Sequence, residues 1–138
     1  MTIPDTPFGA RVRERLRDER FAWLTTVGAD GTPQPNPVWF LWDGADSVLV
    51  YNDNTSRRLA RLAAGCRVSL HFQADEAGDD VVVLTGRSEP APDAPPPATN
   101  TEYLAKYADD IAGIGSLDGF AKRYDVPVWL RIERVRGF

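Results

Sequence analysis

The residues best suited to chemistry lie in one stretch, Tyr51-Asn52-Asp53-Asn54-Thr55-Ser56-Arg57-Arg58. An apolar run ends there and a polar turn follows. Thr55-Ser56 is expected to cap a short helix whose first turn carries the two arginines. Cations are unfavourable at a helix N-terminus, because the exposed amides already make that end positive. A compensating anion is therefore expected. A phosphate would accept from the amides, from the Thr55 and Ser56 hydroxyls and from the forks of Arg57 and Arg58. The alternative is that both arginines turn into water or pair with Asp53.

Other chemistries find little support. Gly113-Ile114-Gly115 opens like a dinucleotide loop, but it follows a predicted helix, and Asp118 stands where a third glycine belongs. Ser69 and His71 share a strand face with no acid to orient the histidine, so His71 is an ordinary sheet-surface residue. One histidine and one cysteine, Cys66, leave no transition-metal cluster and no internal disulfide, and point to the cytoplasm. A net charge of −4 argues against nucleic acid and against an anionic membrane surface. No apolar run approaches the roughly 20 residues of a membrane span, and Met1 to Gly9 does not resemble a secretory signal. Trp23, Trp39, Trp42, Trp129, Phe40 and Tyr51 form a heavy aromatic load, mostly core, with one or two able to wall a flat ring. Hydride transfer needs such a wall and little side-chain acid–base work, since a cofactor carries the hard chemistry. No catalytic side chain stands out, which suits either a hydride-transfer enzyme or a simple binding module.

The elements that would position this stretch are mainly strands. Thr6-Pro7 starts an amphipathic helix with Phe8, Val12 and Leu16 on one face. Phe21–Val27, Thr32–Trp42 and Ser47–Tyr51 read as strands of an antiparallel meander, turned at Asp30-Gly31 and Asp43-Gly44. Pro33, Pro35 and Pro37 strip amides from one side of the second strand, which must begin as an edge. That side is either protection against aggregation or a binding rim. Leu59, Leu62 and Ala63 give a short apolar helix face ending at Gly65. Arg67–Ala74 alternates cleanly, and Val81 to about Ser88 is a central strand. Pro90–Pro97 is an extended surface connection. Thr99 and Glu102 form a capping box for a helix burying Leu104, Tyr107, Ala108 and Ile111. Ser116 caps a second helix to about Arg123, and Val128–Val135 is the last strand. The sum is one domain over residues 1–138, a small antiparallel β-barrel with helices attached.

The run Leu24-Thr25-Thr26-Val27, Asp30-Gly31-Thr32-Pro33 and Asn36-Pro37-Val38-Trp39-Phe40-Leu41-Trp42-Asp43-Gly44 resembles the pyridoxamine-phosphate-oxidase-like split β-barrels. Within them it is most similar to the actinobacterial branch that uses the deazaflavin coenzyme F420. Leu59–Leu62, Arg67–Phe72, Val81–Gly86 and the closing strand from Val126-Pro127 to Phe138 match as well. The resemblance implies a mainly β split barrel and a homodimer with cofactor sites in clefts between subunits. It places Val38, Trp39 and Phe40 along the cofactor ring, Tyr51 and Asn52 near the ribityl chain, and Ser56, Arg57 and Arg58 at the phosphate. Gln73 and Trp129 would reach a site from the partner subunit. Relatives commonly place a lysine in the clamp, where arginines and Ser56 stand here.

The leading expectation is thus an F420-dependent oxidoreductase that delivers a hydride to a small organic substrate. Flavin mononucleotide (FMN) in the same fold is the alternative cofactor. F420 carries an acidic tail beyond its phosphate, and Arg61 and the arginines of the first helix are candidates to meet it. A cofactor carrier without turnover is a third reading. A barrel binding single-stranded nucleic acid is a fourth, disfavoured by the charge.

Overall fold

The computed structural model describes residues 2–138. Seven strands form one antiparallel sheet in the order β2-β1-β5-β6-β7-β4-β3. They are β1 (Ala22–Val27), β2 (Pro33–Val38), β3 (Leu41–Trp42), β4 (Ser47–Asn52), β5 (Arg67–His71), β6 (Val82–Pro90) and β7 (Val126–Gly137). Helices α1 (Pro7–Asp18), α2 (Leu59–Ala63), α3 (Thr101–Ile114) and α4 (Leu117–Arg123) flank the sheet. The hairpins β1–β2, β3–β4 and β5–β6 are local, but β7 lies between β6 and β4. The sheet is therefore not the simple meander that the turn signals suggest.

The expected second strand is in fact two, and they lie at opposite edges of the sheet. The break falls at Trp39-Phe40, where tertiary contacts override β propensity. Phe40 sinks into the barrel. Its N–H donates to the Tyr107 hydroxyl at 3.0 Å, and its carbonyl accepts from Lys106 Nζ at 3.0 Å. With both groups engaged by α3, Phe40 cannot continue a ladder. β2 occupies a sheet edge, as its prolines require, and residues 33–37 are exposed.

Alternation sets the barrel interior. Leu24 on β1, Val68 and Leu70 on β5, Val82 and Leu84 on β6, and Leu130 and Ile132 on β7 point inward, and Val12 and Leu16 of α1 join them. Thr6 caps α1 by accepting from Gly9 N at 3.0 Å. β6 is the central strand, with a bulge at Thr85/Gly86. A Cβ on Gly86 would lie 1.7 Å from the Arg131 carbonyl oxygen, so only glycine lets β7 approach there.

β4 is buried on both faces. Val48 and Val50 enter the barrel, while Leu49 and Tyr51 meet a second packed cluster with Tyr103, Tyr107, Ile111 and Phe120 of α3 and α4. Three expectations for this half change. The cap of α3 is Asn100, whose side chain accepts from Tyr103 N at 3.1 Å, while the Thr99 hydroxyl donates to Pro96 O. The buried face of α3 carries Tyr103 where Ala108 was expected, because helix 3.6-residue geometry lets the larger ring reach β4. The proline-rich segment is also not merely superficial: Ala91 and Pro97 are buried, and the Tyr51 hydroxyl donates to Pro95 O at 2.5 Å.

Candidate cofactor cleft

A cleft of about 150 Å³ opens where the end of β2, the end of β4 and helices α3 and α4 meet. Pro37, Val38, Trp39, Tyr51, Arg58, Tyr103, Ile114, Phe120 and Tyr124 line it. Trp39 stacks on Tyr107, with ring centres 4.8 Å apart and planes 7° apart, and on Phe120 at 5.7 Å. Phe120 stacks in turn on Tyr124 at 4.8 Å. The result is a flat, stiff aromatic wall.

Arg58 supplies the charge. Its Nε donates to Asn52 Oδ1 at 3.0 Å. Asn52 is fully buried and is oriented by donating to the carbonyls of Val50 and Val126. Burial, followed by the neighbouring Arg61 charge, lowers the Arg58 pKa from its ordinary value. Among the described residues neither Arg58 nor Arg61 forms an ion pair. Arg61 instead donates to the buried Thr26 hydroxyl at 2.9 Å. The Asp53 carboxylate acts on Arg58 more weakly than burial and Arg61 do and forms no ion pair with it, so the two guanidiniums make a place for an anion.

The turn before α2 differs from the predicted cap. Asp53 organises it, accepting from Thr55 N at 2.9 Å and from the Thr55 hydroxyl at 2.7 Å. Thr55 is thereby diverted from capping, and the helix starts later, at Leu59, with no side-chain cap. Arg57 and Arg58 precede the helix rather than occupying its first turn. Asp53 pairs with Arg123 of α4 at 2.8 Å, so it is not the partner of either arginine. The Thr55 N–H first, then the Thr55 hydroxyl and Arg123, hold the Asp53 carboxyl down to about 2. Asn54 N also donates to Arg123 O, which fastens α4 beside the turn. Ala63 is exposed, leaving Leu62 as the buried anchor of α2.

Val38, Trp39, Tyr51 and Arg58 thus come together, with Asn52 directly behind Arg58. Ser56 Oγ accepts from Arg58 N at 3.4 Å, and Arg57 is exposed on the same turn. Phe40 points into the barrel, with its backbone held by α3. Gln73 lies elsewhere, exposed, accepting from Trp23 Nε1 at 3.2 Å. Trp129 lies in a separate groove with Leu41, Trp42 and Pro95. Tyr103, Phe120 and Tyr124 escaped the sequence reading as site residues. The paired spacing of four, Tyr103 with Tyr107 and Phe120 with Tyr124, is the signal that could have found them.

The family model for pyridoxamine 5'-phosphate oxidase matches residues 8–137. The chain belongs to that family. Its antiparallel, curled sheet with short flanking helices is the split barrel of these proteins. The family binds flavins or related cofactors and its members are commonly dimeric. No curated protein gives a match. Among solved structures, a conserved hypothetical protein, Rv2991, of Mycobacterium tuberculosis is 21% identical with TM-score 0.70, covering 98% of this chain and 85% of its own. An F420 reductase is 22% identical with TM-score 0.63, covering 90% of this chain and 94% of its own. A Clostridium acetobutylicum protein related to general stress protein 26 of B. subtilis, of the pyridoxinephosphate oxidase family, is 18% identical with TM-score 0.64. It covers 91% of this chain and 84% of its own. At these identities the likeness shows a shared fold. Among the described residues no helix is long and apolar enough to cross a membrane, and no three or more His, Cys, Asp or Glu side chains are grouped so as to hold a metal ion.

Proposed function

We propose that this protein is an F420-dependent oxidoreductase that passes a hydride between the deazaflavin and a small organic substrate. The observation that carries the reading is Arg58, a half-buried cation without an acidic partner at the edge of an aromatic-walled cleft. The residues fit a phosphate-bearing, flat-ringed cofactor. Arg58, steadied by Asn52, would hold the phosphate, with Arg57 and Ser56 on the same turn and Arg61 adding positive potential. Trp39, Phe120 and Tyr124 would bear on the ring and exclude water. The bound cofactor supplies the hydride chemistry.

The cleft is smaller than the roughly 300–1,000 Å³ of ordinary ligand pockets. A second copy of the chain completing it accounts for that shortfall. The exposed groove of Phe21, Trp23, Pro37 and Trp39 beside the open β2 edge gives such a copy an apolar surface. Gln73 and Trp129, outside their own chain's cleft, would then be offered to the partner's site.

FMN is the second reading, and one observation favours it. Arg11 and Arg15 of α1 are committed to Asp80 and Glu19. That leaves Arg57, Arg61 and, on α1, Arg13 and Arg17, without an ion pair among the described residues, to meet the acidic tail of F420.

Separate titrations with F420 and FMN test the proposal. F420 is expected to bind, and Arg58→Ala is expected to weaken it at least tenfold, about 1.4 kcal/mol. Stability should fall by only about 1 kcal/mol, for the hydrogen bond lost by Asn52. Tight FMN binding without F420 affinity would transfer the assignment to FMN. An unchanged dissociation constant in Arg58→Ala would refute the phosphate contact.

A further inference from the structure

Resting on the reading of this cleft as a cofactor site, we infer that the Tyr103 hydroxyl is the ring-side donor, hydrogen-bonding a carbonyl oxygen of the flat heteroaromatic ligand. Tyr103 is only 1% exposed. Its ring meets Tyr51 edge-on at 4.8 Å, lies 4.9 Å from Tyr107 and stacks on Phe120 at 6.3 Å. Its backbone is pinned as well, since Tyr103 N donates to the Asn100 cap. The ring is therefore not free to turn its hydroxyl towards another partner.

The neighbouring tyrosines show what a satisfied hydroxyl looks like here. Tyr51 donates to Pro95 O and accepts from Asn100 Nδ2 at 2.9 Å. The Tyr107 hydroxyl accepts from Phe40 N at 3.0 Å and lies 2.9 Å from Arg20 O and 3.1 Å from Phe40 O. The Tyr103 hydroxyl has no hydrogen-bond partner among the described residues. Water reaching the open cleft can satisfy it, so it stays available to a ligand at no standing cost to the fold. This hydroxyl is not among the sealed, unsatisfied polar atoms, and the residue lines the cleft. With its ring covered by three aromatic neighbours, the cleft is the direction from which a partner can come. The cleft thus presents uncommitted donors of different character, with the hydroxyl of half-exposed Tyr124 among them. The Arg58 guanidinium suits an anion. The neutral Tyr103 hydroxyl, set among aromatic faces, suits a carbonyl on a ring lying against those faces.

The test uses the full-length protein and three probes: F420, FMN and riboflavin, which has the FMN ring without the phosphate. Wild type, Tyr103→Phe and Arg58→Gln are titrated by fluorescence and melted without ligand. Tyr103→Phe keeps the ring and breaks no bond within the chain, so its melting temperature should match wild type. Its affinity should fall about five- to tenfold for F420, FMN and riboflavin alike, as for the loss of one hydrogen bond. Arg58→Gln should lose affinity for FMN and hold it for riboflavin. Wild-type affinity of Tyr103→Phe for every probe overturns the inference while leaving the cofactor reading intact. A loss confined to phosphate-bearing probes overturns the ring assignment, and a parallel fall in melting temperature assigns the residue to packing instead. Wild type that binds neither F420 nor FMN refutes the cofactor reading, and the inference with it.

Discussion

The molecule has two packed interiors, built from different side chains. The barrel interior is dominated by Leu, Val and Ile, with Phe40 and Phe72 as its aromatic pair. The cluster on the outer face of β4 is made of Tyr51, Tyr103, Tyr107 and Phe120, with Trp39 and Tyr124 against it. Aliphatic side chains bring burial without polar obligations. Tyrosines bring burial and a hydroxyl that must be routed somewhere. The barrel can thus close on itself, while the aromatic cluster spends two hydroxyls on Pro95, Asn100, Arg20 and Phe40 and retains those of Tyr103 and Tyr124 at the cleft. On the proposed function, stability is concentrated in the first interior and recognition in the second.

Substitutions can break that contrast. The largest effect on stability is expected from Leu84→Ala on the central strand, buried in the barrel. It should cost about 3 kcal/mol through lost burial and a cavity, measured by denaturant unfolding. Cofactor affinity of the molecules still folded should be unchanged. Tyr107→Phe should cost less, about 1–3 kcal/mol, because the Phe40 N–H loses its buried acceptor. It should also weaken cofactor binding, because the Trp39 wall rests on the Tyr107 ring and on the backbone that its hydroxyl holds. If Tyr107→Phe left binding untouched, the division of labour between the two interiors would fail.

The smallest effect concerns pH. Lys106 lies over the Phe40 ring, 3.8 Å from its centre, and burial, then the Arg20 charge, pushes its ammonium down to about 8. The unfolded chain holds that proton up to the ordinary lysine value of 10.5. Between these values the unfolded state binds more protons, so stability rises with pH there and is flat below about 8. Melting temperatures from pH 7 to 10 should show that rise in wild type and its loss in Lys106→Met. A rise that persists in Lys106→Met would assign it to another group.

Much of the barrel was legible because alternation and turn residues are local signals. β1, β4, β5 and β6 fall close to where composition puts them, and Asp30-Gly31 turns the first hairpin, with Gly31 at φ +84°. The split between β2 and β3 was not legible, since it depends on Tyr107 and Lys106, which come much later in the chain. The same distance hid Tyr103, Phe120 and Tyr124. Thr55 misled for the opposite reason: its hydroxyl had a nearer partner in Asp53 than any helix amide. In the cleft, the strand-end residues Val38, Trp39 and Tyr51 and the cation Arg58 were accessible from the sequence. The wall facing them was not.

The place of β7 has a kinetic consequence. It joins a four-stranded half, β2-β1-β5-β6, to the small hairpin β4–β3, pairing Ser47–Asn52 with Val126–Arg131. Three hairpins can form by local contacts, but this join requires closing a long loop before it returns any pairing. Synthesis delivers β7 after every other strand, so the two halves wait for it. Val38 belongs to one half and Tyr51 to the other. On the proposed function, a competent cleft would therefore mature at barrel closure, and ligand capture would report the last act of folding rather than the first.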